Sequence, residues 1–132
     1  MRHTLRQTEH EVTLEPRAPA IASVVLLHGL GADGTDFVPI VDELHLPDSI
    51  PVRFVFPHAP ARPVTVNAGH VMRAWYDIRS FTPEGRADAA GLAQSVERVS
   101  GCLRHEIGRG VAASRIVLAG FSQGGAVALA AG

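Results

Sequence analysis

Gly120-Phe121-Ser122-Gln123-Gly124 is the stretch of this sequence whose residue types and spacing point most directly to chemistry. A G-x-S-x-G pentapeptide between an apolar strand and a small-residue helix puts a serine hydroxyl on a sharp turn, clear of the sheet. Side chains two positions before and after that serine would collide with neighbouring backbone, so both positions are glycine. The backbone N–H of Gln123 then falls at a helix N-terminus, where unpaired donors and the helix dipole favour developing negative charge. The context is present here, with Arg115-Ile116-Val117-Leu118-Ala119-Gly120 before the serine and Gln123-Gly124-Gly125-Ala126-Val127-Ala128-Leu129-Ala130 after it. Ser122 is therefore the candidate nucleophile for acyl transfer.

Acyl transfer needs a second donor for the tetrahedral oxyanion, usually from the loop after an earlier strand. His28-Gly29-Leu30-Gly31-Ala32-Asp33-Gly34 follows the apolar run Ala22-Ser23-Val24-Val25-Leu26-Leu27. The backbone N–H of Leu30 is the candidate, because its flanking glycines let backbone approach a substrate. The His28 side chain is read as structural. A phosphate or dinucleotide cradle is the other reading of this turn, but neither a full G-x-G-x-x-G nor a G-K-[ST] pattern is present.

The elements that must position these groups follow from the apolar pattern. Residues 22–27, 52–56 and 115–120 read as short buried strands, and residues 9–14 as a further strand or hairpin. Phe37, Ile40, Val41 and Leu44 recur at helical spacing. A helix is expected over about 88–107, with Leu92, Val96, Val99, Leu103 and Ile107 on one stripe, closed by Gly108 and Gly110. Residues 58–78 show no clear period and read as a long functional loop. Alternating strands and helices imply an α/β fold, a mostly parallel sheet with helices on both faces.

Composition narrows the partners. The chain has 132 residues, enough for one domain, with 46% hydrophobic and 19% charged residues and a formal net charge of -1. Its 12 Lys and Arg are scattered, so no nucleic-acid partner is expected. Cys102 is the single cysteine, which excludes an internal disulfide framework. No signal-peptide core and no membrane-spanning run is evident, so no stable membrane anchor is expected and a cytoplasmic setting is the default. The His residues show no metal-ligand spacing, and neither metal nor cofactor is expected.

Three stretches together resemble one family. They are Leu27-His28-Gly29-Leu30-Gly31-Ala32-Asp33-Gly34, Phe56-Pro57-His58-Ala59-Pro60 with Ala74-Trp75-Tyr76-Asp77-Ile78, and Gly120-Phe121-Ser122-Gln123-Gly124-Gly125-Ala126. From about residue 20 onward the chain is similar to the bacterial carboxylesterases of the phospholipase/carboxylesterase family, which includes the acyl-protein thioesterases. The resemblance implies an α/β-hydrolase fold, a nucleophile at Ser122, an oxyanion hole from the amides of Leu30 and Gln123, and Trp75 beside the acyl pocket. It implies small or medium acyl esters as substrates, with thioesters and lysophospholipids as alternatives. A homodimer is compatible with it for a full-length form. Asp77, in the Trp75 stretch, is read as holding its loop by hydrogen bonds.

In this fold the triad follows the order Ser, then Asp or Glu, then His. Ten residues follow Ser122, and none is Asp, Glu or His. The expectation is the N-terminal part of one α/β-hydrolase domain, residues 1–132, with the C-terminal strands and helices missing and low or no activity of its own. Strand 116–118 would then present an apolar edge. The rival from another class is a non-catalytic remnant, or half of a complementing pair.

Overall fold

The computed structural model describes residues 3–79 and 88–132. In chain order the elements are β1 (Thr4–Gln7), β2 (Glu11–Glu15), β3 (Ala22–Leu27), α1 (Ile40–Glu43), β4 (Val52–Pro57), β5 (Ala61–Val64), β6 (His70–Arg73), α2 (Ala89–Gly108), β7 (Ile116–Gly120) and α3 (Gln123–Ala131). Five strands form a mixed sheet in the order β1-β2-β4-β3-β7. β4, β3 and β7 pair in parallel, β2 runs against β4, and β1 runs against β2. Four of the five strands therefore point the same way, and only β2 is reversed.

Strand pleating assigns the side chains to two cores. Val25, Leu27 and Val55 face one side, where Trp75, Val99 of α2 and Val127 of α3 complete a buried cluster. Val52, Phe54 and Phe56 face the other side with Val12, Leu14 and Val41, and Phe37 and Val38 pack against them. Helices thus cover both faces, α2 and α3 on one and α1 with its entry turns on the other. Each fully buried Phe, Leu or Val side chain contributes about 1.5–3 kcal/mol.

Arg53 lies on the α2 face of β4 and brings a charge into the first core. Its guanidinium donates to Glu106 of α2 at 2.7 Å and to Glu15 of β2 at 3.0 Å. Ser23 of β3 donates to the same Glu106 oxygen at 2.5 Å, and Arg109 donates to Glu15 at 2.7 Å. Burial alone would raise the Glu15 carboxyl, but hydrogen bonds from Arg109 and Arg53 outweigh it and hold the group below its ordinary range. The cluster bolts β2, β3, β4 and α2 together at the end of the sheet where β3 and β4 begin.

Three elements differ from the sequence expectation. The helix expected around Phe37–Leu44 is the four-residue α1, because Asp33 captures the amide of Thr35 in a turn and successive i→i+3 bonds lead up to Ile40. The apolar spacing survives because such turns nearly preserve the helical face. On α2 the stripe of Leu92, Val96, Val99 and Leu103 packs inward, but Ile107 is exposed and Glu106 points inward instead, towards Arg53. The supposed loop over 58–78 contains an antiparallel hairpin, β5 on β6. Pro63 fits there because a two-stranded ribbon has only edge strands, where proline is tolerated.

Candidate active site

The registers of β3, β4 and β7 bring three loops to the carboxyl end of the sheet, the place where open α/β sheets bind ligands. These are the loop after Leu27, the His58–Pro60 connection, and the Phe121–Ser122 turn.

Ser122 sits between β7 and α3 with φ 56° and ψ −118°, a backbone conformation that L side chains rarely adopt. Its side chain makes no capping hydrogen bond to α3, and the residue is exposed. The turn is held by Phe121 N–H donating to Leu27 O and Gly124 N–H donating to Phe121 O, both at 3.0 Å. A Cβ on Gly120 would strike the backbone of Gly124, and one on Gly124 would strike the carbonyls of Leu27 and His28. Both glycines are required by close approach of backbone, as the spacing implies.

The second loop abuts this turn. A Cβ on Gly29 would lie 3.6 Å from Ser122 Cβ. Ala32 N–H donates to Gly29 O at 3.2 Å, and Gly31 has φ +78°, the pattern of a type II turn with Leu30 and Gly31 at its centre. Gly31 N–H donates to Arg73 O of β6. Among the described residues the backbone N–H groups of Leu30 and Gln123 have no acceptor.

Trp75 has no exposed surface, and it is the hub of the site's interior. Its indole N–H donates to His28 O at 2.9 Å, its backbone N–H donates to Gln123 Oε1 at 2.8 Å, and Ser95 of α2 donates to its carbonyl. Gln123 Nε2 donates to Tyr76 O at 2.8 Å, so one buried side chain ties the elbow to two successive residues. The roles of the Gln123 side chain and Ser95 were not read from the sequence. The available signal was a polar residue at position 95, beside the apolar stripe of α2.

Four of the seven histidines are otherwise occupied. His28 is buried, with Nδ1 2.7 Å from Gly29 O and Nε2 accepting from Ala59 N–H at 2.9 Å, and its ring lies against Trp75. Burial lowers its basicity, which keeps it neutral. His58 accepts from Gly34 N–H through Nδ1, and burial, aided by the Arg73 charge, lowers it as well. His3 bonds Val52 O, His10 lies beside Glu9 and Arg98, and His45, His70 and His105 are exposed. No described histidine is hydrogen-bonded to Ser122. Asp77 accepts from both the amide and the hydroxyl of Thr65, fastening the hairpin as expected of it. Among the described residues no group of His, Cys, Asp and Glu is arranged to hold a metal ion, and no helix is long and apolar enough to cross a membrane.

On its other flank Ser122 borders an open apolar hollow of about 570 Å³, lined by Leu118, Gly120, Gly125, Ala126 and Leu129 among others.

A mixed sheet with helices on both faces and a serine on the strand-to-helix turn is the arrangement of an α/β hydrolase. The chain belongs to the Phospholipase/Carboxylesterase family, whose profile matches residues 8–132. It is 40% identical over 123 residues to acyl-protein thioesterase 1 of Yarrowia lipolytica, covering 92% of this chain and 54% of that one. It is 36% identical over 109 residues to acyl-protein thioesterase 1 homolog 1 of Dictyostelium discoideum, covering 82% and 48%. The crystal structure of Zea mays acyl-protein thioesterase 2 is similar with a TM-score of 0.77 at 30% identity, covering 92% of this chain and 49% of that one. The chain spans about half the length of the curated relatives it matches.

Proposed function

We propose that this chain carries the nucleophile and the oxyanion hole of a serine hydrolase acting on small to medium acyl esters or thioesters. Ser122 Oγ attacks the acyl carbonyl, the amides of Leu30 and Gln123 receive the oxyanion, and water resolves the acyl-enzyme. Trp75, having no free surface, backs the acyl pocket from beneath. The observation that carries this reading is the pair of unsatisfied backbone donors on the two loops that meet at an exposed, left-handed serine. No cofactor or metal enters this chemistry, and the cytoplasm is the proposed compartment.

A serine hydroxyl is a weak nucleophile without a base. With no described histidine hydrogen-bonded to Ser122, the general base and its carboxylate come from sequence outside these 132 residues. Taken alone, the chain is a scaffold of low activity. Similarity to the Yarrowia acyl-protein thioesterase and its Dictyostelium homolog favours thioesters over oxygen esters.

The test is labelling by a fluorophosphonate probe of the 132-residue chain, of the product of the complete gene, and of both with Ser122→Ala. Labelling of the longer product alone, abolished by Ser122→Ala, is the expected result. Equal labelling of the short chain would put a base inside it, and labelling that survives Ser122→Ala would remove the nucleophile assignment. Silence from both folded proteins would identify a non-catalytic remnant. Hydrolysis rates for a p-nitrophenyl ester and a thioester of the same acyl chain then separate the two substrate classes.

A further inference from the structure

Consecutive carbonyls from the last residue of β3 into the loop after it are pinned by different donors: Leu27 O by Phe121 N–H, His28 O by the Trp75 indole, and Gly29 O by the His28 ring and, at 3.2 Å, by Ala32 N–H. The His28 bond fixes a proton position. A backbone N–H only donates, so His28 Nε2, which meets Ala59 N–H at 2.9 Å, carries the lone pair. The ring proton is therefore on Nδ1, and it is given to Gly29 O at 2.7 Å.

The Gly29 carbonyl and the Leu30 N–H belong to one peptide plane and point in opposite directions across it. Drawing the carbonyl towards the buried imidazole aims the N–H the other way, out of the turn, where it has no acceptor. We infer that His28 is a positioning residue: its imidazole, locked in the Nδ1–H tautomer by the Ala59 amide, orients the Leu30 amide as an oxyanion donor. The inference rests on the oxyanion role proposed for Leu30. It extends that reading to a side chain that touches neither substrate nor Ser122, and it links the loop after β4 to the geometry of the loop after β3.

Two isosteres divide the ring's two bonds. His28→Asn places an amide NH₂ where Nδ1 stood and loses the acceptor for Ala59. His28→Gln reaches the Nε2 position, keeps an acceptor for Ala59 and loses the donor to Gly29 O. In the product of the complete gene, His28→Gln should lower kcat for ester hydrolysis about 100-fold, in the range seen when one oxyanion donor is lost, with KM within about twofold. His28→Asn should restore kcat to within about tenfold of the parent, even if its melting temperature falls as far. The ¹⁵N–¹H resonance of the Leu30 amide reads the peptide's orientation without turnover, and it should move in His28→Gln and stay in His28→Asn. Losses of kcat that track melting temperature in both variants, or a Leu30 resonance indifferent to the donor, would overturn the inference. Ser122→Ala run beside them separates the two layers: if it leaves hydrolysis intact, the site reading has failed, whatever His28 does.

Discussion

On the β3 side of Ser122, Trp75 is wholly buried with its indole and backbone polar groups bonded, and Gln123, His28 and Ser95 spend their side chains holding neighbouring backbone. On the β7 side, Val117 is 56% exposed and Leu129 87% exposed, and beyond Gln123 α3 carries no polar side chain on any face. An all-apolar helix is the pattern of a helix surrounded by protein. The two flanks of one serine thus follow different rules. One is a jointed polar frame in which each group has a fixed partner, and the other is an open apolar surface. Preorganised catalysis depends on the first kind of construction, because donors that already point correctly need no rearrangement as charge develops.

Substitutions should separate the flanks by size of effect. Trp75→Ala removes the largest buried side chain and leaves His28 O without its donor, and should cost about 3–5 kcal/mol in urea unfolding. A loss below about 1 kcal/mol would mean that the frame is not what holds this flank. Gly124→Ala forces a methyl against the carbonyls of Leu27 and His28, and should cost about 1–3 kcal/mol while displacing Ser122, read as a fall in both denaturation midpoint and probe labelling. His28 supplies a pH signature. Its pKa is lowered in the folded chain by burial, so its contribution is complete above the ordinary 6.5 and is lost as pH falls from there towards the folded value. Denaturation curves at stepped pH should show that decline, and His28→Gln should reduce it to the part that His58, also lowered by burial, supplies. The smallest effect belongs to the open flank: Leu129→Lys should change the stability of the chain by no more than about 0.5 kcal/mol and reduce self-association in sedimentation. A loss of several kcal/mol would show that α3 is covered in solution.

The central strands were legible in the sequence because a strand buried in a sheet must be a short, nearly unbroken apolar run, as 22–27 and 52–56 are. The elbow was legible because its glycines answer to local backbone crowding, which five residues suffice to specify. The β5–β6 hairpin was hidden by Pro63 and by a turn through Ala68 and Gly69 that lacks an Asn-Gly or Asp-Gly pair. The polar frame was hidden for another reason. The partners of Gln123, Trp75 and Ser95 lie 20 to 48 positions away in the chain, so which polar group meets which is decided only when the layers dock. The composition of β7 reads as that of a buried strand, so the 56% exposure of Val117 was not legible from it. Nor was the depth of Glu106 within α2, since a carboxylate reads as solvent-facing until its arginine is located.

The Arg53 cluster carries a consequence for how the chain reaches this structure. Its bonds join residues separated by 38, 53, 83 and 94 positions, so no two adjacent segments can form it early. Loop-closure entropy for such contacts has to be met before they return anything, which places them late in folding. Interactions absent from the transition state act almost entirely on the unfolding rate. The Arg53 and Glu106 pair, with Glu106 only 2% exposed, is therefore expected to act as a latch: breaking it with Glu106→Gln should speed unfolding and leave the folding rate nearly unchanged.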